Sequence, residues 1–109
     1  MKENAEMNKL IQKASSYAMQ GDFGTSLGFI LQAYKLSVAD SGEEALDTLA
    51  CAALLGRTYA ALGRSEDALK YFEVAYNGLC HTTGENSQKS EHALKELNDY
   101  RAHVTKSSI

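Results

Sequence analysis

Three histidines, two cysteines and fourteen carboxylates are the side chains of this 109-residue chain best suited to chemistry. His92 and His103 lie eleven residues apart, so on a helix they share a face but stand about 16 Å apart along its axis. One metal ion cannot bridge that span. Cys80 and His81 are adjacent and diverge on any helix. No CxxC and no regular Cys/His spacing occurs, so no metal site is expected. Cys51 and Cys80 are read as reduced, partly buried thiols, with Cys51 reactive only if exposed beside a cation. GRTYAALG, residues 56–63, sets its glycines inside and at the end of a helix, the wrong context for cradling phosphate. No P-loop, GxGxxG or GxSxG is present. The carboxylates fall mostly on outward faces, where solvation accounts for them. No catalytic residue and no cofactor are expected.

The totals bound the element types that could position anything else. Apolar residues make up 44% and charged residues 23%, which suits one globular domain over residues 1–109. The formal net charge of −3 argues against nucleic acid, which calls for a basic face. No apolar run is long enough to span a bilayer and MKENAEMNKL has no h-region, so a cytoplasmic protein without membrane contact is expected. Proline is absent, which leaves helices uninterrupted and glycine as their punctuation.

In residues 54–76, Leu55, Tyr59 and Leu62 share one helical face, and Gly63 stops that helix. Ser65 is the expected N-cap of the next, which carries Ala68, Leu69, Phe72, Ala75 and Tyr76 on its inner side. The short link between these faces forces an antiparallel hairpin. The same order occurs at Tyr17, Gly21, Phe23, Leu27, Ile30, Ala33 and Tyr34, with Gly21 and Gly63 42 residues apart. A fixed period in this range signals stacked helical repeats. Ser41 and Glu44 form a capping-box pattern, which starts a third helix near 42. HTTGENSQ, residues 81–88, reads as a loop, and Leu94, Leu97, Tyr100 and Val104 mark one face of a last helix. The predicted helices are 4–20, 23–39, 42–62, 65–80 and 88–105.

Leu55, Gly56, Tyr59, Gly63, Ala68, Phe72 and Ala75 are spaced as in the tetratricopeptide repeat. The chain resembles that family in full over residues 49–82. Residues 7–40 fit loosely, with Ser26 for the usual Ala and Ile30 for the aromatic. The period is similar to that of the longer kinesin-light-chain type. TTGENSQKSEHALKELNDY resembles that type's inter-repeat loop and next A helix, with Tyr100 one position early against Tyr59 and no B helix after it. The resemblance implies an all-α fold of antiparallel hairpins stacked as a short right-handed superhelix, two and a half repeats in about five helices.

It also implies a role: a non-catalytic adaptor that holds a partner peptide or helix in the concave groove formed by the A helices. The groove positions would be Asn8, Gln12, Ser15 and Met19, then Ala50, Ala53, Arg57 and Ala61, then His92, Lys95, Asp99 and His103. Arg57 stands among alanines and offers a fork of donors to a carboxylate or phosphate; its other reading is an exposed arginine paired with a nearby Glu. With Lys95 it makes an acidic ligand one expectation. Carboxylate-clamp members of the family use Lys and Asn where this chain has Ile11 and Ser15, so a chaperone-tail receptor is not expected. The alternative role is structural: a homo-oligomer or co-assembly through an open helical flank, since two and a half repeats fall short of the usual three. Against it, the fifth helix has a polar outer face. TKSSI, with Ser107 two places before Ile109, resembles a PDZ-domain ligand, but short tails match by chance and an unstructured end is expected.

Overall fold

Glycine stops divide the chain. The computed structural model describes residues 5–107 and contains α1 (Ala5–Met19), α2 (Phe23–Ser41), α3 (Leu46–Ala61), α4 (Ser65–Thr83) and α5 (Gln88–Ser107), with no strand among the described residues. Gly21, Gly42, Gly63 and Gly84, one every 21 residues, all have positive φ, and among the described residues no other residue type does. Within each hairpin the stop has one pattern. Asp22 N–H donates to the Tyr17 carbonyl at 2.9 Å and Gly21 N–H to that of Ala18 at 3.0 Å. In the second hairpin Arg64 donates to Tyr59 at 2.9 Å and Gly63 to Ala60 at 3.1 Å. This pair of bonds satisfies carbonyls the helix end would leave orphaned.

Between hairpins the stop differs. Gly42 (φ 94, ψ 167) and Gly84 (φ 89, ψ 147) occupy a region essentially closed to side chains. Their carbonyls accept from buried hydroxyls on the next helix, Thr48 Oγ1 and Ser90 Oγ, each at 2.7 Å. These two junctions are again 42 residues apart.

Several predicted boundaries are corrected. Ser41 is the last residue of α2 and Glu44 lies in the turn, so the capping box does not form; α3 starts at Leu46, behind Ala45, which makes no side-chain cap bond. The chain there serves the glycine turn first. Ser65 is the first helical residue and Arg64 the N-cap. His81–Thr83 belong to α4, since the chain stays helical until Gly84. There His81 Nδ1 meets Glu44 at 2.8 Å and Thr82 Oγ1 donates to the Glu44 carbonyl at 2.7 Å. Leu62, expected on the inner face, is exposed at the C-cap. Thr105–Ser107 continue α5 rather than form a loose end, while Ser108 and Ile109, with the tail motif's terminus, lie outside the described residues.

Each helix packs on its chain neighbours, in the order α1–α2, α2–α3, α3–α4 and α4–α5, giving a slab of 49 × 35 × 18 Å. Ala14, Ile30, Leu55, Tyr59, Ala68, Phe72 and Leu97 form the main buried cluster, and Met7, Ala33 and Cys51 a second. Tyr17 stacks on Phe29 with ring centroids 5.7 Å apart and planes at 16°. Tyr59 stacks on Tyr71, 42 residues later, at 5.7 Å and 13°. The two tyrosines therefore occupy equivalent surroundings.

The 42-residue register also accounts for the ends. Thr48, Cys51, Leu55 and Thr58 of α3 are buried, and their counterparts on α5, Ser90, Ala93, Leu97 and Tyr100, are buried or half-buried. The counterparts on α1 are Glu6, Lys9, Lys13 and Ser16, all exposed. Conversely, the positions of Ala14, Tyr17 and Ala18 on α1, and of Gly56, Tyr59 and Ala60 on α3, carry exposed Asn98, Arg101 and Ala102 on α5. Arg101 reaches back to Glu73 of α4 at 3.1 Å. The outer faces of the first and last helices are exposed and mostly polar where the inner helices are buried or half-buried.

Candidate functional site

The first members of the hairpins, α1 and α3, and the final helix α5 leave two depressions between them. One, of about 170 Å³, lies between α1 and α3, with Ile11, Ala14, Ser15, Ala18, Leu54, Arg57 and Thr58 in its wall and Phe23, Ser26 and Ile30 of α2 behind them. The other, of about 270 Å³, lies between α3 and α5, lined by Leu46, Leu49, Ala50, Ala53, Arg57, Lys89, His92, Ala93 and Glu96, with Ala75 and Leu79 of α4 behind. Small residues make this room: Ala50 and Ala53 project only a methyl group each. Residues three or four apart on one helix share a face, which is why the sequence could place these side chains together.

All seven predicted polar site residues, Asn8, Gln12, Ser15, Arg57, His92, Lys95 and Asp99, are exposed. The fold brings Ser15 and Arg57 to the first depression and Arg57 and His92 to the second. Lys95 and Asp99 border a shallower recess with Phe72, His92, Glu96, Tyr100 and His103. Asn8 and Gln12 lie on the same α1 stripe as Ser15.

The cations are occupied. Arg57 Nε donates to Glu96 Oε2 at 2.6 Å and one Nη donates to Oε1 at 3.1 Å, which is the paired reading of this arginine. The partner lies 39 residues away; Glu96 carries no local signal that distinguishes it from other helical glutamates. Lys95 donates to Asp99 at 2.8 Å one turn along α5. That hydrogen bond and the charge of Asp99 hold the Lys95 ammonium above its ordinary pKa.

Chemistry elsewhere is quiet. Burial, reinforced by Asp47, raises the Cys51 thiol above its ordinary range, so the buried sulfur stays protonated. Among the described residues no group of three or more His, Cys, Asp or Glu could hold a metal ion. Among the same residues no helix is long and apolar enough to cross a membrane.

A comparison with curated proteins returns no match. The family model of the tetratricopeptide repeat matches residues 6–81, which takes in α1 to α3 and most of α4. With two hairpins in a 42-residue register, equivalent aromatic stacks and equivalent glycine stops, the chain belongs to the tetratricopeptide repeat family, helical scaffolds that mediate protein–protein interaction.

Proposed function

We propose that the chain is a non-catalytic interaction adaptor that binds a partner peptide or helix across the face built by α1, α3 and α5. The observation that carries this reading is the pair of apolar-walled depressions on either side of α3, rimmed by exposed polar side chains from all three helices. Concave apolar surface with a few placed polar groups is what ligand sites use. Self-association through an open flank finds less support, because the outer faces of α1 and α5 carry exposed polar residues and an isologous contact needs a self-complementary surface.

The test is affinity capture from source cells followed by mass spectrometry, comparing wild type with a double variant, Ser15→Glu and Ala50→Glu. Both residues are exposed and each borders one depression, so the substitutions block the face without opening the core. A control, Lys70→Glu, changes an exposed residue of α4. The expected outcome is loss of partners from the double variant alone. Recovery of the same partners from the double variant, with its helicity intact, rejects the groove.

A further inference from the structure

Arg57 stands between the two depressions and lines both, and Glu96 lines the second. A guanidinium in such a place is the natural receptor for a ligand carboxylate. Here Nε and one Nη already meet the two oxygens of Glu96. The side chain of Glu96 is only 25% exposed, against 48% for Arg57. An acidic ligand would therefore have to share Arg57 with a held carboxylate and approach the negative charge of Glu96 itself. Lys95 offers no relief, since Asp99 neutralises it. Lys89 also borders the second depression, but it is exposed, and a single solvated lysine contributes little.

The depressions suit a different ligand. An apolar cavity of about 150 Å³ holds benzene, so volumes of about 170 and 270 Å³ each admit one aliphatic or aromatic side chain. They lie on opposite sides of α3, roughly a helix diameter of 10 Å apart. In an extended peptide of polyproline II form, with three residues per turn and a rise of about 3.1 Å per residue, side chains three apart share a face and span about that distance.

We propose that Glu96 determines the ligand class of the groove. By engaging Arg57 it withholds the central cation from acidic partners, and the groove takes an uncharged segment with two apolar side chains about three residues apart. Glu96 acts here as a specificity-determining residue, and the inference rests on the groove reading above.

The experiment is selection of a random 12-residue peptide library on three immobilised proteins: wild type, Glu96→Gln, and the Ser15→Glu/Ala50→Glu double variant. Wild type is expected to enrich paired apolar residues and to deplete Asp and Glu, and the double variant to lose those peptides. The affinities of the wild-type peptides should change less than about twofold between 50 and 500 mM salt, because no net charge is matched. Glu96→Gln should shift the selection towards acidic peptides, and such a peptide should bind it roughly tenfold more tightly than wild type at low salt. Acid-rich peptides selected by wild type, or strong salt dependence of its selected peptides, would overturn the assignment to Glu96 while leaving the groove in place. An unchanged selection on folded Glu96→Gln also overturns it. If that variant does not fold, the wild-type selection and its salt dependence still decide. Absence of any peptide selected by wild type rejects both the groove and this inference.

Discussion

In the first hairpin Ala14 and Ile30 lie in the main buried cluster; 42 residues on, the same two positions hold Gly56 and Phe72. A β-carbon placed on Gly56 would stand 2.8 Å from the Phe72 ring, closer than packed carbons tolerate. The second hairpin thus gives up a methyl group on α3 to admit a ring on α4, while the first keeps the methyl and uses a smaller aliphatic. A second exchange accompanies it. Ser26 takes the place of Ala68, and its hydroxyl is satisfied by donating to the Ala14 carbonyl at 2.8 Å, so a polar atom is buried without an orphan. What repeats is summed volume and satisfied polarity, and individual residues vary within that constraint.

The largest expected effect in breaking this comparison is Phe72→Ala, which removes a ring only 4% exposed and should cost about 3–5 kcal/mol. Ile30→Ala, at the matching place, should cost less, about 2–4 kcal/mol. Denaturant melts of the two variants check the order, and a Phe72→Ala protein melting within a degree or two of wild type would count against the hairpin packing. Next in size is Gly56→Ala, which overpacks the Phe72 site by about 1–3 kcal/mol. Adding Phe72→Ile recreates the pair of the first hairpin, so the double variant should recover part of that loss, with a coupling of about 0.5–3 kcal/mol in a double-mutant cycle. Strict additivity would mean that the two sites do not meet.

The smallest effect sharpens the contrast between the aromatic stacks. Tyr17 stacks on a phenylalanine, Tyr59 on a tyrosine, and Tyr34 meets the latter edge-on at 5.9 Å. Burial raises the hydroxyls of Tyr34 and Tyr59 above their ordinary 10.0 and the Cys51 thiol above 9.0. Each group then stays neutral in the fold at pH values where the unfolded chain ionises. Its contribution is fully present below the ordinary value and is lost as pH rises through the raised one. Thermal melts should therefore hold up to about pH 9 and decline above it, and Tyr59→Phe should flatten the decline near pH 10. A flat profile to pH 11 contradicts the assignment.

Much of this architecture is legible in the sequence alone. Gly21 and Gly63 stop helices because the left-handed conformation they adopt strongly favours glycine, a local property, and the inner faces of α2 and α4 follow from helical periodicity. Less legible were the junctions. Ser41 and Glu44 have the right types and spacing for a cap, but Gly42 between them ends α2 and turns the chain, and the bond that fixes the turn comes from Thr48, six residues on. His81–Thr83 look polar enough for a loop; the pairing of His81 and Thr82 with Glu44, 37 and 38 residues back, is invisible to any local pattern.

By itself the sequence determined an all-helical chain in a 42-residue register, since propensity, glycine conformation and apolar spacing act within a few residues of each other. It also determined that Arg57 sits on the same helical face as Ala50 and Ala53. Only the tertiary structure decided that Arg57 is held by Glu96, that two depressions of unequal size flank α3, and that the outer face of α1 is exposed and polar at the positions where α3 is buried. Those facts depend on which helices become neighbours. Neighbours are chosen by the fit of whole surfaces, over separations at which chain spacing carries no information about distance.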